Sequence, residues 1–231
     1  MSTTLQPQPD VQAGAGGADG APPSPQQVPA WRLVMTLAVA GSLAGLLIVS
    51  VHQWTEPRIM AHRAAAIAAA VDEVLQAPER TETLFVWEGG LTAAPPAGAD
   101  TARLEKVWAG YDAAGERIGY AVVGGEAGFQ DVIRLMFGYD PATQRVMGMR
   151  ILESKETPGL GDKIFKDEVF VNAFRTAQAP MIPTKPGTGT GDPREVDTIT
   201  GATISARTVI TIINNRIEWL QPLLDGAGGG S

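Results

Sequence analysis

The sequence predicts an α+β chain: a single N-terminal transmembrane helix followed by an antiparallel-sheet domain covered by helices. Three observations carry this. An uncharged apolar run, "LVMTLAVAGSLAGLLIVSV", fills Leu33–Val51. Four short segments of alternating apolar and polar character come later, with turn signals between them. A final segment repeats its apolar residues at helical spacing.

The opening thirty residues are almost all Pro, Gln, Gly, Ala and Ser, with two aspartates and no Lys or Arg. Such a stretch buries too little apolar surface to offset the entropy of ordering, so residues 1–30 are expected to be a disordered tail. Residues 31–54 are expected to be the transmembrane helix. The uncharged core of about 19 residues rises roughly 28 Å, close to the hydrocarbon thickness of a bilayer. Trp31 and Arg32 flank one end, Trp54 and Arg58 the other, as interfacial anchors. A cleaved signal peptide is the rival reading. Against it stand the length of the run, its distance from Met1, and the absence of a small-x-small site in "VSVHQW". Gly41, Ser42, Ala44 and Gly45 would let another helix approach closely. One basic residue, Arg32, precedes the span and Arg58 and Arg63 follow it, a count that weakly places the C-terminal domain in the cytoplasm.

Residues 55–99 read as a helix and a connector. "EPRIMAHRAAAIAAAVDEVLQ" has helical spacing and should start just after Pro57 and stop at Pro78, with a polar connector containing "TAAPPAGAD" behind it. Residues 100–224 read as the main domain. "RLEKVWAGYD", "RIGYAVVGG", "QDVIRLMFGYD" and "RVMGMRILES" are four strands of an antiparallel meander, separated by turns such as "DAAGE" and "DPATQ". Asp162–Phe174 reads as one helix and "TKPGTGTGDPRE" as a loop. "ISARTVITIINNRIEWLQPLL" places Val209, Ile213, Ile217 and Leu220 on one face, with Ile210 beside them, and should pack on the sheet. Residues 225–231 read as a flexible tail.

Several chemistries are excluded by composition. There is no cysteine, which removes disulfides, thiolates, Cys-bound iron–sulfur clusters and structural zinc carried by this chain alone. Two histidines, His52 and His62, both near the apolar run, make a multi-histidine metal or haem site unexpected. The net charge of −7 and the lack of a basic cluster leave no nucleic-acid footprint. No metal site and no general acid–base or nucleophilic constellation is expected, so redox chemistry would need an organic cofactor held by oxygen, nitrogen and backbone groups.

The chemistry that does show is in "DTITGAT", Asp197–Thr203. Gly201 lets the backbone turn sharply and lets a ligand approach. Thr203 opens the last helix, where free N–H groups and the dipole favour an anion. The plain alternative makes Thr200 an N-cap and leaves the other hydroxyls solvated. Earlier in the chain, "ESKETPGLGDKI", Glu153–Ile164, is a glycine-rich stretch whose plain reading is a turn before the Asp162 helix.

Taken together, the two stretches change that reading. Asp-x-x-(Ser/Thr)-Gly-Ala-Thr resembles the flavinylation motif of the covalent FMN-binding domain family, and Glu-Thr-Pro-Gly-Leu-Gly looks like a second signature of it. The pair, in this order, resembles the family of G-type subunits of Rnf electron-transport complexes. It is also similar to the C-type subunit of the sodium-translocating NADH:quinone oxidoreductase. The resemblance runs from the span to about Leu224 and leaves out the first thirty residues. After Thr203 the chain reads Ile-Ser-Ala where family members often have Ile-Thr-Ser.

The resemblance implies FMN joined by a phosphoester to Thr203, placed there by a separate magnesium-dependent flavin transferase that uses FAD and releases AMP. Asp197, Thr200, Gly201 and Ala202 would be recognised by that transferase and shape the phosphate pocket. Glu156, Thr157, Pro158, Gly159, Leu160 and Gly161 would lie against the isoalloxazine. It further implies a membrane-anchored electron-relay subunit, a translocase part rather than a stand-alone enzyme, in a complex that couples ferredoxin:NAD electron transfer to ion transport. Its partners would be the other membrane subunits, the transferase and membrane lipid. The setting would be a bacterial inner membrane with the C-terminal domain periplasmic. A covalent link keeps a cofactor where free FMN is scarce, which favours that side over the charge count. Two alternatives remain: a covalent-FMN component of a quinone or other membrane reductase, and a non-redox membrane scaffold. Trp87 and Trp108 read as packing residues, with flavin stacking as the alternative. Lys155, Lys163 and Lys185 read as surface lysines, with the alternative of offsetting phosphate or flavin charge.

Overall fold

A computed structural model describes residues 29–95, 98–101 and 103–227. The tail expected over residues 1–30 lies outside the described residues as far as residue 28, as do residues 228–231 of the C-terminal one. The chain divides into two compact units, residues 1–56 and residues 57–231.

The first unit consists, among the described residues, of the first part of helix α1, Ala30–Val74. Its apolar side chains, such as Leu37, Leu46 and Ile48, are exposed all round the helix, and the helix is long and apolar enough to cross a membrane. The sequence pattern starts a fresh helix after Pro57. The structure instead runs α1 through that position. Proline removes one intrahelical N–H there, but the stretch behind it is rich in alanine, the residue of highest helix propensity.

The second unit is built on a six-stranded antiparallel sheet. Its strands are β1 (Arg80–Trp87), β2 (Gly90–Thr92), β3 (Lys106–Tyr111), β4 (Arg117–Ala127), β5 (Val132–Asp140) and β6 (Arg145–Glu153). Their order is β2-β1-β3-β4-β5-β6. The four expected strands are β3 to β6. β1 and β2 come from the stretch read as connector: Glu88 (φ 47°) and Gly89 (φ 80°) close a two-residue hairpin that pairs Trp87 with Gly90. Positive φ at both central residues matches the right-handed twist of the flanking strands.

Alternation along the strands divides the core. Val107, Ala109, Tyr120, Val122, Leu135, Phe137 and Tyr139 face α4 (Thr203–Ala227), which contributes Val209, Ile210, Ile213, Ile217 and Leu220. Ala121 and Met136 face the other way and pack on Ala70, Val71, Val74 and Leu75 at the end of α1. The sheet is therefore covered by helix on both faces, and each large buried side chain contributes about 1.5–3 kcal/mol. Gly138 permits the closest contact: a Cβ added there would collide with the Val74 carbonyl.

The helix expected over Asp162–Phe174 is two short ones, α2 (Lys163–Lys166) and α3 (Glu168–Ala173). Asp167 breaks them apart, because its side chain accepts from the N–H groups of Val169 (3.0 Å) and Phe170 (3.2 Å), making it an N-cap for α3. The loop around "TKPGTGTGDPRE" is pinned at its ends by a parallel pair, β7 (Ile182–Thr184) with β8 (Glu195–Asp197). α4 continues through Asp225 to Ala227, into the stretch read as a tail.

Candidate functional site

The turn between β8 and α4 brings Thr203 to the surface. Gly201 takes φ 83°, a left-handed conformation that favours glycine. The chain then enters α4 with Ala202 at the cap position, its carbonyl accepting from the Ala206 N–H at 2.9 Å. Alanine offers no side-chain oxygen to the first-turn N–H groups, which have no partner within the helix. Thr200 is exposed and two residues too early to be the cap. The Thr203 hydroxyl donates to the Ile199 carbonyl at 3.2 Å, and the residue is exposed.

The second stretch folds back over this turn. Gly159 takes φ 80°, and its N–H donates to Asp162 Oδ1 at 2.8 Å. The Leu160 N–H donates to the Thr157 carbonyl at 3.1 Å. Asp162 also receives Lys166 Nζ at 2.6 Å. That lysine, with the Gly159 N–H, outweighs the effect of burial and holds the Asp162 carboxyl below its usual range.

Glu156 fastens the parts together. It is 5 % exposed. One carboxylate oxygen accepts from the backbone N–H groups of Gln130 (3.0 Å) and Asp131 (3.4 Å), and the other from Ser205 Oγ (2.7 Å). Burial works to raise its pKa, but hydrogen bonds from Ser205 and from the Gln130, Asp131 and Phe129 backbone prevail and hold it below the ordinary carboxylate value. Space is set aside for this carboxylate. A Cβ at Gly161 would lie 2.6 Å from Glu156 Oε2, and one at Gly128 would lie 2.5 Å from Oε1. Thr157 adds a bond from its hydroxyl to Gln130 Oε1 at 2.7 Å.

Between these parts lies a cavity of about 300 Å³, lined by Phe129, Glu156, Thr157, Leu160, Gly161, Gly201, Ala202, Thr203, Ile204 and Ser205. Phe129, Leu160 and Ile204 are exposed apolar side chains at its walls. Of the residues singled out from sequence, Thr203, Gly201, Ala202, Glu156, Thr157, Leu160 and Gly161 meet here. Asp197 and Thr200 instead line a neighbouring cavity of about 380 Å³ with Lys163, Asp167 and Phe170. Pro158 and Gly159 do not appear among the lining residues of either. Asp197 accepts from the Gly187 N–H at 3.0 Å and from the Thr184 hydroxyl at 2.7 Å, bonds that lower its pKa against the opposing effect of burial. It ties down the β7–β8 loop.

Sequence reasoning misses Phe129, Gln130 and Ser205. Ser205 is the second residue after Thr203, and a hydroxyl on the inner side of a helix's first turn is the signal for it. Phe129 follows Gly128 at a strand junction and carries no motif. Trp87 and Trp108 are not in the cavity lining; Trp108 packs on the α1 side of the sheet.

Residues 128–218 match the FMN-binding domain family. The chain is 23 % identical over 190 residues to the G subunit of the ion-translocating oxidoreductase complex of Methanosarcina acetivorans, covering 82 % of this chain and 94 % of that one. It is 31 % identical over 113 residues to the G subunit of the Na(+)-translocating ferredoxin:NAD(+) oxidoreductase complex of Acetobacterium woodii, which is 47 % of this chain and 52 % of that one. For several such G subunits the match spans about half of the relative's length or less, as in Yersinia pestis, where it covers 46 %. In fold, NqrC of Shewanella oneidensis superimposes with a TM-score of 0.63 at 17 % identity, over 74 % of this chain and 100 % of that one. Both motifs and the cavity they share fall within residues 128–218, the stretch that matches the FMN-binding domain family, and over 82 % of its length the chain is similar to one of these G subunits.

Proposed function

We propose that this chain is a membrane-anchored flavoprotein subunit that relays electrons through FMN joined by a phosphoester to Thr203 Oγ1. The observation that carries the reading is the position of Thr203. The residue stands exposed at the wall of a cavity in which residues of both motifs meet. The residues suit the group. Uncapped N–H groups at the start of α4 would receive the phosphate, bare Gly201 leaves room over the turn, and Phe129, Leu160 and Ile204 offer apolar walls to a flat ring. When bound, the flavin supplies one- and two-electron chemistry. The protein positions it and sets its surroundings, and an electron relay needs no catalytic acid or base.

Attachment balances with FAD as the donor. Thr203 Oγ1 bonds to the FMN phosphorus, the pyrophosphate bond breaks, AMP leaves and the hydroxyl proton is released. A flavin transferase would perform this step. The relatives' names support a place in a multi-subunit, ion-translocating complex of the ferredoxin:NAD oxidoreductase kind, with other membrane subunits as partners. We place the C-terminal domain on the periplasmic face of a bacterial inner membrane, where a covalent bond protects against loss of a scarce cofactor. Intact mass of protein extracted from its native membrane tests the core of this reading. It should exceed the sequence mass by one FMN less one water, with the addition on the peptide containing Thr203. Unmodified protein from that source would refute the assignment.

A further inference from the structure

Three lysines border the glycine-rich loop, and two are neutralised. Lys155 Nζ lies 3.5 Å from Asp131, and Lys166 Nζ lies 2.6 Å from Asp162. Lys163, among the described residues, forms no ion pair with a carboxylate. It is half-buried, and its ammonium donates to the Thr200 carbonyl at 3.3 Å. That Nζ and the Leu160 Cδ2 both lie 3.7 Å from the β-position of Gly201, so they lean together over its bare α-carbon. An ammonium has three donors; the carbonyl takes one and leaves two for another acceptor, close in sequence to Thr203. Lys163 lines the neighbouring cavity with Asp167 and Asp197 and reaches the Thr203 cavity at Gly201, where the charged lining residue is Glu156, whose oxygens are already occupied and whose negative sign repels an anion. A phosphate fixed to Thr203 thus meets repulsion from one wall and an unneutralised cation on the side of Gly201. We propose that Lys163 is the counter-ion of the phosphate diester on Thr203, holding it over Gly201 and away from Glu156. This rests on the FMN reading above.

The test uses full-length protein made with a flavin transferase, in wild-type form and as Lys163→Gln, Lys163→Arg and Lys155→Gln. Intact mass comes first: wild type without the added mass refutes the cofactor reading itself rather than the role of the lysine. With the mass present, the phosphorus-31 resonance of the diester at low salt decides. It shifts in Lys163→Gln, returns towards the wild-type position in Lys163→Arg, and stays in place in Lys155→Gln, a pattern that loss of packing alone would not give. An unmoved resonance in Lys163→Gln overturns the proposal, as does an equal shift in Lys155→Gln. Should Lys163→Gln fold but carry no flavin, loading restored by Lys163→Arg supports the cation at the phosphate, and failure of the arginine variant to load overturns it.

Discussion

The Thr203 hydroxyl has one local partner, the Ile199 carbonyl, so removing it should cost the fold no more than about 1 kcal/mol. Thr203→Ala is therefore expected to unfold near the wild-type temperature while losing all covalent flavin, seen as a dark band under ultraviolet light on a denaturing gel. Thr203→Ser, which keeps an oxygen nucleophile, should retain part of the added mass. Glu156 is a different kind of residue. Its pKa in the folded state is lowered, so its contribution to stability is complete above the unfolded-state value and disappears as pH falls through the folded-state one. Melting temperature measured against pH should drop below the usual carboxylate range. In Glu156→Gln that acid limb should be flatter and the neutral-pH melting temperature lower. Motif residues that carry a hydroxyl or a glycine are readable from sequence because their chemistry is local. The Ser205–Glu156 bond is not, since it joins residues 49 positions apart.

At the level of elements, strong periodicity is legible and half-buried pattern is not. β3 to β6 alternate cleanly between the two faces, and α4 repeats its isoleucines on one side. β1, by contrast, has no fully buried residue, so "RTETLFVW" shows no clean alternation and reads as connector, although Gly89 at the turn is a hairpin signal. The split between α2 and α3 rests on a single side chain, Asp167. Asp167→Ala should destabilise the domain by about 1 kcal/mol, measured by chemical denaturation. Gly138→Ala is the harsher change. Its methyl meets backbone rather than a movable side chain, and the forced separation of α1 from the sheet should cost about 1–3 kcal/mol.

For the whole molecule, the uncharged run is the feature most open to test. Leu46→Arg places a charge among exposed apolar side chains, a change worth about 2.5–3.5 kcal/mol against insertion. Its expected outcome is a larger share of the protein released by alkaline carbonate washing than for wild type. Protease added to intact cells with a permeabilised outer membrane should digest the C-terminal domain, whereas protection would reverse the proposed orientation. The carboxylate clamp of Glu156 has one more implication, concerning when this protein can be finished. It joins a strand junction near residue 130 to the opening turn of α4, so the pocket has no complete wall until the chain has been synthesised through the start of α4 and packed. On the proposed reading, flavin attachment at Thr203 would then follow folding of the domain, and the fraction of chains carrying the added mass would report on how well the domain has packed as well as on cofactor supply.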